Sequence, residues 1–392
     1  MISTTEAKSI ITENSRQLAP AAVPIDEAAG LVVANDIHAP VSIPAFPQSA
    51  MDGYAFAFSG IGKPLLVAGE KAAGDLSKTD LLPGTSIRIF TGAVVPAGAD
   101  TVVMQEKAKV VDGFLQIEDA ALKKGANVRL TGSDITKGAL ALPAGTKLTA
   151  AGIGLLTGMG IDSVEIIPSP RISIIVTGNE LQAPGTAPAY GKVYESNSYA
   201  LAAALKQLHI HSVDIYRPDD VPDTMTKTLR EALSKSDLVI MTGGVSVGDY
   251  DFTVQVSENC GVSRLFHKVR QKPGKPLFFG KKEQTLFFGL PGNPAAVLTC
   301  FYEYVIPALE IRTARKLSAD VHHVPMGSAY KKAPGLAHFL KGFFDGSRVH
   351  IPGGQESYKL NSFATSNCLV VIPESATEVT EGEKVEIHLL PE

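Results

Sequence analysis

Between Arg171 and Leu309, apolar strand-like runs alternate with helix-like segments, and no other feature restricts the fold as much. RISIIVTGNEL (171–181) reads as a strand and a glycine turn, and SNSYALAAALKQLHI (196–210) as a helix capped by Ser196 or Asn197. HSVDIY (211–216) is a second strand, TMTKTLREALSKS (224–236) a second helix, and DLVIMTGG (237–244) a third strand. The region closes with TLFFGLPGNPAAVLTCFYEYVIPAL (285–309), where Asn293 can cap a helix and Pro294 suits its first position. Strands alternating with helices imply βαβ units and a mostly parallel sheet, its strands buried on both faces.

Three of these runs end alike, IIVTGNEL, LVIMTGGVSVGD and LFFGLPGNPAA. In a parallel sheet, strand C-terminal ends share one edge, and ligands bind there. Glycines such as Gly243 and Gly244 let the backbone approach a ligand, and the free N–H groups of the turns and helix N-termini can hold oxyanions. The second turn runs on to Ser246 and the acids Asp249 and Asp251, which can hold a divalent cation. Between the second and third turns lies HKVRQKPGKPLFFG (267–280). Alternation there would place Lys268, Arg270 and Lys272 on one strand face, while Pro273 and Pro276 hold Lys275 on a rigid turn. Together these are the parts of an anion site. No GxxxxGK[ST] is present and no GxGxxG opens a helix after the first strand, which argues against an NTPase or a dinucleotide enzyme.

The remaining chain is different in kind. Residues 1–19 read as a helix with Thr4 or Thr5 at its cap. Residues 40–150 are rich in Gly, Pro and short runs such as SIRIF and TVVMQEKAKVV, which is strand chemistry with turns. AAGIGLLTGMGI (150–161) is helix-like, and Pro168-Ser169-Pro170 marks a boundary. From about 318 the chain returns to short β runs such as CLVVIPE and KVEIHLL. With 392 residues and 45% hydrophobic content, two to four cores are expected. A net charge of −4 gives no general nucleic-acid surface. Three scattered cysteines suit a reducing compartment and have no metal-ligand spacing. The segment MISTTEAKSIITENS lacks the basic and apolar regions expected of a signal peptide, and no apolar run approaches the roughly 20 residues of a membrane span. A soluble, cytoplasmic protein is expected.

Further segments extend the pattern to nearly the whole chain: PxxPQSAMDGYA (44–55), TGAxxPxGADTVVMQE (91–106), GANVRLTGSDI (125–135), TGNEL (177–181), SNSY (196–199), TGGVSVGDYD (242–251), KPGKP (272–276) and GLPGNP (289–294). In this order they resemble the molybdopterin molybdenumtransferase family, to which MoeA and the gephyrin E domain belong. The resemblance implies a multidomain fold. A MogA-like doubly wound α/β domain (169–317) would be flanked by a discontinuous N-terminal domain (1–44 and 138–168), a β-rich domain (45–137) and a C-terminal β-barrel-like domain (318–392). It implies the last step of molybdenum cofactor synthesis, in which adenylylated molybdopterin and molybdate enter and molybdenum cofactor and AMP leave. It also implies Mg²⁺, a homodimer with a composite active site, and neighbours such as the molybdopterin adenylyltransferase and molybdoenzyme apoproteins. That adenylyltransferase and a non-catalytic scaffold are the alternatives. The β-rich segments argue against the first, and the lack of a long linker against the second.

Residue roles follow from the same resemblance. Asp251, Asp52, Thr91, Glu180 and Asp219 match catalytic positions, with Asp251 and Glu180 as metal ligands. In RPDD, either Asp219 or Asp220 can be the equivalent acid. Lys268, Lys272, Lys275, Gly243, Gly244, Ser246, Asn293, Arg129 and Asp134 match substrate-binding positions. Asn293 can instead cap its helix, and Arg129 and Asp134 can form a structural ion pair. Ser357 and Lys341 fall where the family has Ser and Arg near molybdate; lysine keeps the charge but loses the planar fork. Asp52 and Thr91 would reach the site from the partner subunit.

Overall fold

The computed structural model describes residues 1–75, 77–78, 80–244, 252–318 and 320–391. The chain divides into two compact units, Met1–Ala21 with Ile167–Glu392, and Ala22–Ile166.

The first unit is built on a six-stranded sheet in the spatial order Val213–Tyr216, Ile172–Val176, Leu238–Thr242, Thr285–Leu290, Phe278–Lys282, Ser263–His267. The first four strands are parallel and the last two join antiparallel. The two-residue strand period divides their apolar side chains between two cores. Ile172, Ile174, Val176, Leu238 and Ile240 pack with Leu201 and Leu205 of helix Asn197–Gln207 and with Val297 of helix Pro294–Cys300. Ile175, Val239 and Met241 pack on the other face with Met225, Leu229 and Leu233 of helix Pro222–Lys235 and Val256 of helix Phe252–Asn259. Helices on both faces explain why these strands read as unbroken apolar runs rather than alternating ones.

The helix from Pro294 to Thr313 is interrupted by a π segment at Phe301–Val305, just before Pro307, which has no N–H to donate. At 20 residues and mean hydropathy 1.2 it could cross a membrane by length, but two thirds of it is buried in the core. The N-terminal helix spans Thr4–Asn14 and packs Ala7 and Ile11 into the same core. Its cap is Ser3, not Thr4 or Thr5. Ser3 Oγ accepts from Glu6 N, and the Glu6 carboxylate accepts from Ser3 N, a reciprocal pair that fixes the start one residue earlier.

The C-terminal part forms a second sheet in the order Gln271–Lys272, Ala337–Phe344, Cys368–Ile372, Lys384–Leu389, Val321–Pro325, with Val349–His350 also paired to Ala337–Phe344. A bridge between Met326 and Val349 joins the last strand back to the first hairpin. The circuit closes as a small barrel around Met326, Leu340, Val349, Val370 and Ile387. Closure removes the open strand edge a short sheet would otherwise present.

The second unit contains a six-stranded sheet, Thr101–Met104, Gly53–Phe56, Thr85–Ile89, Leu65–Lys71, Phe114–Ile117, Ala108–Val111. Its other core gathers Leu148, Leu156, Met159, Val164 and Ile166 around helix Ala150–Gly158, whose cap Thr149 accepts from Gly152 N. At Gly53 a Cβ would lie 1.9 Å from the Val103 carbonyl oxygen, so only glycine fits that strand crossing.

Candidate functional site

The C-terminal ends of strands Ile172–Val176, Leu238–Thr242 and Thr285–Leu290 lie on one edge, as their parallel pairing requires. Their turns line one cleft of about 900 Å³ through Thr177, Gly178, Gly243, Gly244, Pro291 and Gly292. The turns are packed on one another. A Cβ at Gly243 would sit 2.3 Å from the Thr177 carbonyl oxygen, and φ of +85° there favours glycine independently.

Lys272 and Lys275 enter the same cleft from the KPGKP turn. Gln271, fully buried, holds that turn from beneath: its Nε2 donates to Gly274 O at 3.2 Å, and its Oε1 accepts from the Tyr304 hydroxyl. Gly274 has φ of +87°, and a Cβ there would fall 2.4 Å from Cys300 Sγ. Both lysines are exposed and form no ion pair among the described residues, so their charge is available to a ligand.

The other half of the basic segment does not follow the expected alternation. Lys268 has left-handed backbone, φ +72°, at the end of strand Ser263–His267, and it is not part of the cleft lining. Its carbonyl accepts from Ile2 N instead. Arg270 Nε donates to Glu374 at 2.7 Å and its guanidinium also reaches Met1 O, fastening the N-terminus. A single left-handed residue breaks the two-residue period, so Lys268 does not share a strand face with Lys272 as the alternation led one to expect.

Of the acids, Glu180 and Asp220 line the cleft and Asp219 does not. Of the two RPDD acids, Asp220 is the one in the cleft wall. Its Oδ1 is buried and has no hydrogen-bond partner among the described residues. Burial, with the neighbouring Glu180 charge, raises the Asp220 pKa above the ordinary carboxylate value. Two carboxylates facing one cleft, one with an empty buried lone pair, suit a hard cation that keeps several waters. Among the described residues no group of three or more His, Cys, Asp or Glu could hold a metal. Asp251 and Ser246 lie outside the described residues.

Asn293 occupies the N-cap position of helix Pro294–Cys300 without a side-chain capping bond. Its Nδ2 donates to Ser357 Oγ at 2.8 Å, and Ser357 O accepts from Ala295 N and Ala296 N. The 354–359 loop therefore caps the helix in place of Asn293. Lys341 secures that loop. It is 4% exposed, and its ammonium donates to the carbonyls of Gly354 (2.6 Å), Glu356 (3.2 Å) and Lys359 (3.0 Å). An ammonium has three N–H donors, all engaged here. Burial lowers the Lys341 pKa. Lys341, expected near molybdate, has its three N–H donors engaged with the loop that carries Ser357, and Ser357 lines the cleft.

In the other unit, Asp52 Oδ1 accepts from Thr91 N (2.7 Å) and Thr91 Oγ1 (2.8 Å). The bond from the Thr91 N–H is the main cause holding the Asp52 carboxyl below its usual pKa. The two motifs SAMDGYA and TGA thus present one preorganised carboxylate. Arg129 and Asp134 are both exposed, and among the described residues no ion pair joins them.

Sequence reasoning missed Glu195, Tyr194 and the role of Asn197. Glu195 is buried and accepts from Ser198 N (2.7 Å), Ser198 Oγ (2.5 Å) and Arg217 (3.4 Å). Asn197 Nδ2 donates to Gly292 O at 2.9 Å, linking the SNSY helix to the third turn, while its buried Oδ1 has no partner. The SNSY motif was the available signal, but a local sequence shows no contact 95 residues away.

Three family models tile the chain: "MoeA N-terminal region (domain I and II)" at residues 2–160, "Probable molybdopterin binding domain" at 173–311, and "MoeA C-terminal region (domain IV)" at 323–390. The chain is 35% identical to the molybdopterin molybdenumtransferase of Haemophilus influenzae, with 93% of this chain and 94% of that protein covered. It is 34% identical to the protein of the same name from a Nostoc species, over 92% of this chain and 87% of that one. Among solved structures, a molybdopterin biosynthesis MoeA protein from Pyrococcus horikosii superposes with a TM-score of 0.85 at 28% identity, covering 100% of this chain and 99% of the other.

Proposed function

The chain belongs to the molybdopterin molybdenumtransferase family, a transferase family of molybdenum cofactor biosynthesis; from that premise we propose that its cleft takes adenylylated molybdopterin and molybdate and releases AMP with the finished cofactor. The observation that carries this reading is the meeting of three glycine turns with Lys272 and Lys275, which form no ion pair among the described residues, in one cleft of about 900 Å³. Splitting a phosphoanhydride needs little covalent chemistry from a protein. It needs the phosphates held in line and their developing charge neutralised. The turn N–H groups and the two ammonium groups supply that positive field.

Glu180 and Asp220 would hold a divalent cation, magnesium in this reading, which when bound would supply further neutralisation at phosphate oxygens. Asp251 joins them in the same role. Ser357, bonded by Asn293 on a loop that Lys341 fastens, offers its hydroxyl to molybdate at the far wall. Asp52, oriented by Thr91, serves the site from a second copy of the chain, with Arg129 and Asp134 as further substrate contacts.

The test is direct. Protein, adenylylated molybdopterin, Mg²⁺ and molybdate are mixed and AMP is followed by chromatography. AMP release that depends on molybdate and falls in Lys272→Ala supports the reading; substrate retained without AMP refutes it. Two inactive variants, Asp52→Ala and Lys272→Ala, test the composite site when mixed and allowed to exchange subunits. A shared site restores about a quarter of wild-type activity, because half of the dimers are mixed and each has one intact site. A site within one chain restores none.

A further inference from the structure

A second cavity of about 430 Å³ opens beside the main cleft, lined by Pro184, Gly185, Tyr194, Glu195, Ser196 and Tyr199. Tyr194, Glu195 and Ser196 line both spaces, so the two share a wall. Tyr194 and Tyr199 present 45% and 53% of their surface, whereas the sheet aromatics Phe278, Phe279, Phe287 and Phe288 are fully buried.

Both rings are fixed in position. The Tyr194 hydroxyl donates to Thr186 O at 2.7 Å, and the strand Val193–Tyr194 pairs with Leu181–Gln182, which follows Glu180 in the TGNEL turn. The Tyr199 ring lies beneath the Arg217 guanidinium, 5.6 Å from centroid to carbon. Arg217 is held by Glu195 at 3.4 Å and by Ser198 Oγ at 2.9 Å. Glu195 is in turn engaged by Ser198 N and Oγ. Glu195, the only carboxylate among the described lining residues, is therefore already paired with Arg217, and the cavity offers π faces and shape rather than charge. Rigid aromatic faces held at a wet surface favour stacking, because little side-chain entropy remains to be lost on binding.

We propose that this cavity is a ring subsite: Tyr194 and Tyr199 receive a planar nitrogen heterocycle whose phosphate occupies the neighbouring cleft at Lys272 and Lys275. The inference rests on the phosphate reading of that cleft. The proposed substrate has two such rings, adenine and the pterin, each carried on a phosphate. Stacking on an aromatic side chain does not by itself distinguish them.

Binding of three ligands to the full chain separates the possibilities: AMP, molybdopterin, and ribose 5-phosphate, which has a phosphate but no ring. They are titrated by calorimetry against wild type, Tyr194→Leu, Tyr199→Leu and the ring-preserving Tyr194→Phe and Tyr199→Phe. The leucine variants should weaken a ring-bearing ligand by about 5- to 100-fold and leave ribose 5-phosphate unchanged. Tyr199→Phe should bind as wild type, and Tyr194→Phe, which keeps the ring but gives up the bond to Thr186 O, should lose less than Tyr194→Leu. A loss confined to AMP assigns adenine to the subsite, a loss confined to molybdopterin assigns the pterin, and a loss in both assigns either ring. Unchanged binding of both ring ligands overturns the proposal, as does an equal loss of ribose 5-phosphate or of affinity in the phenylalanine variants. Lys272→Ala should weaken all three ligands; if it weakens none, the phosphate reading of the cleft fails whatever the tyrosines do.

Discussion

Replacing Lys341 by methionine removes a buried ammonium while keeping the aliphatic stem. Three carbonyls lose a donor, those of Gly354, Glu356 and Lys359. Each hydrogen bond to a charged group contributes about 1.5–3 kcal/mol. The full sum is not lost, because Gly354 O keeps Ser362 Oγ and Glu356 O keeps Lys359 N. Removing the ammonium also recovers the cost of desolvating it, which leaves a net destabilisation of about 2–3 kcal/mol. In a unit of this size that corresponds to a fall in Tm of about 5–10 °C, measurable by calorimetry. The loop that positions Ser357 would loosen at the same time, so AMP release should fall even at saturating molybdate. Lys341→Arg should not rescue either property, since a planar fork cannot reproduce three converging bonds at one nitrogen. The reasoning is refuted if Lys341→Met leaves Tm unchanged while raising the KM for molybdate, and Lys341→Arg restores it. That outcome would return the lysine to direct oxyanion binding.

Asp220→Asn should abolish cation-dependent AMP release, whereas Asp219→Asn should stay near wild type; equal loss in both would return the RPDD acid to ambiguity. The raised Asp220 pKa means the protein without metal is stabilised by the proton on Asp220 and loses that stability as pH rises through the folded value. Asp220→Asn should therefore raise the Tm of the metal-free protein at pH 7. Gly274→Ala combines a left-handed φ with a Cβ placed 2.4 Å from Cys300 Sγ, and should cost about 2–5 kcal/mol by denaturant titration. At the junction of Lys8, Glu303, His388 and Glu386, burial would lower the His388 pKa, but its bond to Glu303 raises it above 6.5. Its stabilisation is full below pH 6.5 and is lost as pH rises through the folded value, so His388→Gln should flatten the stability profile above neutrality. For Glu303, burial would raise the pKa, but His388 and Lys8 hold it below 4.5, so its contribution is present above that pH and fades on acidification.

The sheet was legible because its strands are buried on both faces, and continuous runs such as Ile172–Val176 have few other uses. The glycine turns were legible because Gly243 is forced both by φ and by the Thr177 carbonyl beneath it. Lys272 and Lys275 were found for the same local reason, being fixed by a Pro-Gly turn. Residues whose roles depend on distant partners were not readable. Nothing adjacent to Lys341 shows that its ammonium meets a loop 13 to 18 residues on. Asp219 and Asp220 are neighbours with the same chemistry, and only the backbone decides which one faces the cleft. The face of Lys268 was not readable because left-handed backbone at that residue interrupts the two-residue period.

The N-terminal helix has a consequence for synthesis. Ile2 pairs with Val269, and Lys8 meets Glu303 at 2.6 Å across 295 residues of sequence. A ribosome adding about 5–20 residues per second makes the first turn of the helix wait roughly 15–60 s for that partner. An 11-residue helix has little stability alone, so it remains unstructured over that interval. The contiguous unit Ala22–Ile166 can complete its own cores while the rest of the chain is still being made. Residues 2–14 are thus made long before the partners they pack against, and are among the last of these segments to settle.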